Sequence, residues 1–371
     1  MASKPTRTRP ARPPRKAIRT PRAAPSGKAG RGKAQRGVAA RADAKPAGHT
    51  RPAGRKPRAQ RTPAATAPLR AVLPHAVLPH DYCKYHGLGN DYLVIEPRTF
   101  HEALTGAQVR AICDRHRGIG SDGVLLGPLT AGRPPGLAPE VPALRIFNPD
   151  GSEGEKSGNG LRIFARYLWE QGHVRGSPFS IHTPGGTVRV RVLAADGTRI
   201  AIEMGQVRFT SQDIPMTGPP REVLREALRV GDADYTISAA TLGNPHCVVL
   251  VDDPTPALAQ AVGPQIERHA SFPQRTNVQF LRVLDRHAIR IEIWERGAGY
   301  TQASGTSSCA SAAVACRLGL CETPVTVHMP GGRLEIRLEP DYRVELEGDV
   351  AAVGSGRFAP EFLGQLGLHR A

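Results

Sequence analysis

No CxxC pair and no zinc-type constellation occurs among the six cysteines of this 371-residue chain, which are Cys83, Cys113, Cys247, Cys309, Cys316 and Cys321. That excludes a zinc ribbon and a dithiol redox motif. An export-type apolar h-region is also missing, so the thiols read as free in a reducing compartment and the protein as cytoplasmic. No run approaches the roughly 20 apolar residues that a membrane span requires, so no membrane partner is expected. Neither a metal cluster nor a cofactor fingerprint is present, and no metal or cofactor is expected.

Acidic residues are nearly absent from one region. Residues 1–70 hold 20 of the 50 Lys+Arg but a single acid, Asp43, of the 33 Asp+Glu. The formal charge of +17 therefore belongs to this stretch, and the remainder is close to neutral. Large apolar side chains are scarce there too, so burial cannot offset the entropy of ordering and the segment is expected to be disordered. A duplicated pentapeptide, Ala71–His75 and Ala76–His80, reads as a linker, so 1–80 forms a basic tail. Three readings of it stand side by side. It binds nucleic acid or acidic surfaces through counterion release; it imitates a transit peptide, although its prolines would break the usual helix; or it is a solvated extension or the product of a start codon placed too far upstream.

From Tyr82 onward the pattern is that of an ordered body. Residues 83–95 read as two strands about a glycine turn that carries Asn90 and Asp91, and 104–115 has helical spacing. A glycine-rich turn over 117–123 feeds a buried strand. The segment 147–162, Phe-Asn-Pro-Asp-Gly-Ser-Glu-Gly-Glu-Lys-Ser-Gly-Asn-Gly-Leu-Arg, ends a strand and opens an amphipathic helix over 161–169. Strands follow over 179–192 and 199–204. A second block shows strands over 235–240, 247–251, 276–283 and 289–294, helices over 254–266 and 309–318, and closing strands over 325–328 and 334–338.

The two blocks repeat one another. Ser157-Gly158 before one helix matches Ser304-Gly305 before the other, and each helix leads through a strand to a Pro-Gly-Gly turn. The offset between the two serines and that between the two turns agree to within one residue. Backbone N–H groups at a helix start are unpaired and sit at the positive end of the dipole, so each start can cradle a carboxylate or phosphate. Two such starts facing each other would grip one carboxylate and place Ser157 and Ser304 on opposite faces of the neighbouring carbon. That is the layout for taking a proton from one face and returning one to the other. The dipoles would stabilise the enolate-like charge that develops on the carboxylate. The pairing calls for an acid and a base with pKa values near the working pH, which a thiol supplies and an unassisted serine hydroxyl does not.

Seven motifs in order now give a resemblance. They are Gly87-Leu-Gly-Asn-Asp91, Arg117-Gly-Ile-Gly-Ser-Asp122, Phe147-Asn-Pro-Asp-Gly-Ser152, Gly158-Asn-Gly160, Gly243-Asn-Pro-His246, Arg275-Thr-Asn277 and Glu295-Arg-Gly-Ala-Gly299. On these, residues 82–365 resemble the diaminopimelate epimerases, pyridoxal-phosphate-independent isomerases of the lysine and peptidoglycan pathway. The resemblance implies an α/β (α+β) fold of two pseudo-symmetric halves, each a sheet wrapped around a central helix. Their expected extents are 81–204 with 351–365, and 205–350. It also implies a homodimer and a small amino-acid substrate. By motif, Asn90, Asn148, Asn244, Asn277 and Arg296 would hold the substrate's distal end. Gly158-Asn159 and Gly305-Thr306 would bind the α-carboxylate, and His246 and Glu295 would assist the two catalytic groups.

The departures lie at the chemistry. The family pattern has a cysteine before each glycine, where this chain has Ser157 and Ser304. Tyr300 replaces the glutamate usual after Gly-Ala-Gly, and Gly123 stands where some members have a glutamine. Cys309 lies inside the second helix and reads as packing. An epimerase of LL-diaminopimelate is the leading expectation, with His246 deprotonating Ser157 and Glu295 supporting Ser304. A racemase of a different polar amino acid, a catalytically altered or inactive paralogue that binds a diaminopimelate-like ligand, and a module tethered to nucleic acid by its tail are the alternatives.

Overall fold

The computed structural model describes residues 81–97 and 104–368, so the expectations for the basic tail and its pentapeptide repeat lie outside the described residues. The body opens with an antiparallel hairpin, β1 (Tyr82–Gly87) and β2 (Asn90–Ile95). Its turn places Leu88 and Gly89 at positive φ, 57° and 84°. Helix α1 (Gly106–Cys113) crosses over to β3 (Val124–Leu126), parallel to β2, and β4 (Arg145–Phe147) and β5 (Glu153–Gly154) add antiparallel strands. Then come α2 (Gly158–Glu170) and the meander β6 (Phe179–Thr183), β7 (Gly186–Val192) and β8 (Arg199–Gln206).

The second block repeats this order. Strand β9 (Glu226–Val230) precedes the hairpin β10 (Ala233–Thr241) and β11 (Pro245–Leu250). Helix α3 (Pro256–Glu267) crosses to β12 (Asn277–Asp285), parallel to β11, followed by antiparallel β13 (Ala288–Glu295) and β14 (Gly299–Thr301). Helix α4 (Gly305–Arg317) and the meander β15 (Val325–Met329), β16 (Gly332–Leu338) and β17 (Arg343–Asp349) complete it. The chain ends on β18 (Ala351–Gly356) and α5 (Pro360–Gln365). Strand β18 returns to pair with β1, as β9 pairs with β10, so the first block is finished by the last strand of the chain. Among the described residues two sheets result, of six and twelve strands, and the β8–β17 ladder joins the two blocks within the larger one.

Helices α2 and α4 are the axles of the two blocks, and sequence explains why each starts and stops where it does. Ser157 and Ser304 are their N-caps, both extended, with φ,ψ of −138°, 120° and −147°, 125°. Each helix ends on a residue followed by a glycine at φ 70°, Gly172 and Gly319. The chain then closes in a Schellman-type turn, with the His173 N–H on the Leu168 carbonyl and the Leu320 N–H on the Ala315 carbonyl, each at 2.9 Å. Helix α2 buries Leu161, Ile163, Phe164, Ala165, Tyr167 and Leu168. Helix α4 is built from Ala, Ser, Cys and Val and is buried almost all round, because small side chains let the surrounding strands close in. Both helices share one core with Met204, Leu334 and Leu346, and smaller clusters lie under α1 with α5 and under α3. Among the described residues no helix is long and apolar enough to cross a membrane.

Candidate active site

The two axle helices meet at their N-termini. A Cβ built on Gly158 would lie 3.6 Å from the Gly305 Cα, and one on Gly305 would lie 3.5 Å from the Gly158 Cα. A Cβ at either position would only touch the opposite start, but atoms beyond Cβ would enter the space between them, and at Gly305 a Cβ would also crowd Leu346 Cδ1 at 3.1 Å. In each cap the serine oxygen takes the third N–H of its helix, from Gly160 at 3.0 Å and from Ser307 at 3.4 Å. Leu161 and Ser308 donate to the cap carbonyls. The N–H groups of Gly158, Asn159, Gly305 and Thr306 are left without a partner among the described residues, two from each helix. Four unpaired donors at two facing dipole ends are an anion site with a side-chain oxygen on either flank.

The two flanks differ. Glu295, at the end of β13, stands beside the Ser304 hydroxyl; burial pushes its carboxyl pKa up, and the hydroxyl partly offsets the rise. On the other flank, the Tyr92 hydroxyl lies 3.4 Å from the Ser157 oxygen. Sequence reasoning pairs His246 with Ser157, but the structure gives that imidazole other partners. Gln279 Nε2 donates to Nδ1 at 3.1 Å, which leaves the proton on Nε2 to donate to Asn244 Oδ1 at 3.2 Å. Gln279 also donates to the Ser307 hydroxyl at 3.0 Å, and Asn244 Nδ2 lies 3.5 Å from Thr306 Oγ1. His246 thus holds the first turn of α4 through two amides.

His246 is fully buried, and burial pushes its pKa down to about 3 against the Gln279 contact, with Arg296 adding to the fall. It is neutral in the folded protein, whereas the unfolded chain titrates near the ordinary 6.5. The stability it contributes is complete above that value and drains away as the pH falls from 6.5 toward 3, at about 1.4 kcal/mol per unit. Urea midpoints measured at about pH 7, 5.5 and 4 are expected to fall less steeply in a His246→Gln variant than in the native chain. Parallel slopes would contradict a neutral buried imidazole.

The asparagines divide into internal struts and free contacts. Asn277 is buried, donates to the Pro245 carbonyl and accepts from the Arg296 N–H, each at 2.9 Å. Asn90 donates to Asp122 at 3.0 Å and accepts from Asn159 Nδ2 at 3.1 Å. Asn148 is exposed and its side-chain amide donates to the Ser152 hydroxyl, and Arg296 is exposed and its guanidinium donates to the Gln274 carbonyl. Asn90, Asn159, Asn244, Thr306 and His246 are therefore linked to the helix starts by hydrogen bonds, while Asn148 and Arg296 present their groups outward.

Five side chains that brace the candidate site escaped the sequence reading. Arg162 is fully buried one turn behind Ser157, and its Nη2 donates to Asn159 Oδ1 at 2.7 Å and its Nη1 to the Gly158 carbonyl at 3.3 Å. Glu267, also buried, accepts from Trp294 Nε1 at 2.8 Å and from the Gly297 N–H at 3.1 Å, which anchors the loop that carries Glu295 and Arg296. Gln279 and Tyr92 are described above. Asp91 accepts from the Asp122 N–H and so ties β2 to the 117–122 loop; burial alone would raise its pKa, but hydrogen bonds from Arg115 and Lys84 bring it down to about 2. The i,i+2 step from Asn277 to Gln279 on one face of a strand was the one signal available for Gln279. Tyr92 and Glu267 carry no pattern of their own.

Gly123, Tyr300 and Cys309, singled out in the sequence, also find physical places. Gly123 leaves room for the Tyr92 ring, since a Cβ there would come within 2.6 Å of Tyr92 Cε1 and 2.4 Å of the Phe147 carbonyl. Tyr300 turns its hydroxyl onto the buried Glu292 at 2.7 Å, and burial together with that carboxylate pushes its pKa up to about 12. Cys309 is fully buried in α4 and burial pushes its thiol up to about 12, which suits packing.

Comparison with known proteins adds to this geometry. A family model described as diaminopimelate epimerase matches residues 82–210 and 238–353. Diaminopimelate epimerase 2 of Nostoc sp. is 51% identical over 280 residues, 76% of this chain and 96% of that protein. The diaminopimelate epimerase of Pelotomaculum thermopropionicum is 39% identical over 285 residues, 75% of this chain and 98% of that protein. Among solved structures, a probable proline racemase from Agrobacterium radiobacter K84, with bound carbonate, shares the fold. It has a TM-score of 0.55 at 17% identity and covers 76% of this chain and 93% of that one.

Proposed function

Because the chain belongs to the diaminopimelate epimerase family, we propose that it inverts one α-centre of LL-diaminopimelate to give the meso form by proton transfer across Cα. One observation carries the mechanism: the starts of α2 and α4 abut, and four of their N–H groups have no partner among the described residues. The α-carboxylate would accept from Gly158, Asn159, Gly305 and Thr306. When the Cα–H bond breaks, its electrons move toward that carboxylate, and the two helix dipoles lower the energy of the enolate without having to reorganise. Asn90, Asn148, Asn244, Asn277 and Arg296 would hold the distal ammonium and carboxylate. Glu295, its proton affinity raised by burial, is the group to take the Ser304 proton. The body would divide into a half of residues 81–204 with 351–365 and a half of 205–350, with the substrate between the two axle helices.

A second reading follows from the caps themselves. The family resemblance puts cysteine where Ser157 and Ser304 stand, and both hydroxyls are occupied as helix caps. In that reading the site binds a diaminopimelate-like amino acid and turns it over slowly or not at all. Full-length protein incubated with LL-diaminopimelate in deuterated water decides between them. Deuterium entering the α position, read by mass spectrometry, is the expected result. Ligand binding by calorimetry with no α-exchange would sink the epimerase reading and leave the binding one.

A further inference from the structure

We propose that Tyr92 is the proton-relay partner of Ser157, exchanging its phenolic proton with the serine oxygen as that oxygen takes or returns the substrate's α-proton. The inference rests on the epimerase reading above and concerns how that site works without a thiol. A serine hydroxyl is too weak an acid to hold a useful alkoxide, whereas a phenol's ordinary pKa is 10. Tyr92 is the side chain that meets the Ser157 oxygen, at 3.4 Å, a separation of the kind that tightens when substrate arrives.

The surroundings are arranged around this contact. The Tyr92 ring is buried in β2, in space that a side chain at position 123 would fill. Ser157 already accepts from the Gly160 N–H at 3.0 Å. With Tyr92 donating as well, the serine's own proton is directed away from both, toward the anion site. The titratable groups that face the phenol are Asp122 ahead of β3, Glu295 from β13 and Cys113 from α1. Burial pushes the phenol's pKa up, the Ser157 contact partly offsets the rise and the carboxylates add to it, so the phenolate is a minor form at neutral pH.

The step balances without an added reagent. In the abstraction direction, with Tyr92 ionised, the Cα–H bond breaks, its proton joins Ser157 Oγ, and the serine's own proton passes to the phenolate. The bonding electrons become the enolate. In the return direction Ser157 gives its proton to Cα as Tyr92 gives its proton to Ser157. Because the ionised phenol starts the abstraction step, exchange through this face rises with pH, by about tenfold per unit below the phenol's pKa.

The test compares the native chain, Tyr92→Phe, Ser157→Cys and the double variant for α-deuterium exchange of LL-diaminopimelate between about pH 6.5 and 9. In the native background Tyr92→Phe is expected to slow exchange by about 10²- to 10⁴-fold with KM unchanged and to abolish the rise with pH. In the Ser157→Cys background the same change is expected to cost less than about threefold, because a thiolate forms without help. An equal loss in both backgrounds would show Tyr92 to be a packing residue only. Unchanged exchange in Tyr92→Phe would overturn the relay and leave the epimerase reading intact, whereas a native chain that never exchanges would overturn both.

Discussion

The chain carrying Ser157→Cys and Ser304→Cys together is expected to exchange the α-proton of LL-diaminopimelate about 10²- to 10⁴-fold faster than the native chain. The reason is the match of proton affinities. A thiol has an ordinary pKa near 8.5, and a helix start lowers it further, so a useful fraction is thiolate at neutral pH. Both positions are N-caps with the side chain turned onto the helix start, at φ,ψ that cysteine adopts without strain. The cradle of four N–H groups is unaffected, so KM is expected to hold while kcat rises. Stability should move the other way. Serine is a strong N-cap and cysteine a poorer one, so each helix should lose about 1 kcal/mol, read as a lower urea midpoint. A double variant that folds, binds substrate and exchanges no faster would mean that the proton donors and acceptors lie elsewhere.

Arg162 is expected to be the next most sensitive position, with Arg162→Met lowering kcat/KM by about 10²-fold. Its guanidinium is fully buried, and no carboxylate among the described residues is within ion-pair distance of it. Burial pulls its pKa down to about 10, with Cys309 and then Asp349 acting in the other direction, so it remains protonated at neutral pH. Room for it comes from Gly87 and Gly348, where an added Cβ would lie 3.1 Å and 3.2 Å from its nitrogens. A buried, unpaired cation costs stability on its own, and a positive charge so close to a helix start adds to that cost. An anion at the adjacent cradle would offset both. It also sets the amides: because Arg162 donates to Asn159 Oδ1, Asn159 must turn its Nδ2 to Asn90, which then turns its own Nδ2 to Asp122. Thermal shifts separate the two roles. Arg162→Met should keep an unliganded midpoint close to native and lose most of the shift on adding substrate. A lowered midpoint with the ligand shift intact would mean that Arg162 only packs.

Local signals in the chain were enough for the elements that carry their own pattern. The Ser-Gly pairs at 157–158 and 304–305 and the Pro-Gly-Gly turns are local chemistry, and each lies where the pattern put it. Strand β17 was missed although Val344, Leu346 and Gly348 alternate with charged residues. Strand β18, Ala-Ala-Val-Gly-Ser-Gly, has no alternation to find and exists because β1 offers it an edge. Such long-range ladders are a property of the whole fold and leave little trace in a six-residue window.

The site shows the same division. By itself the sequence determined the family motifs, the internal repeat and the two capped, glycine-led helix starts, because capping and turn formation depend on residues three or four positions apart. Only the tertiary structure decided what those starts do to each other. It brought Gly158 against Gly305, put Tyr92 rather than His246 on the Ser157 oxygen, and buried His246 and Arg162 deeply enough to fix which of them carries a charge. Burial and contact between distant segments set proton affinities, and neither quantity is a function of local spacing.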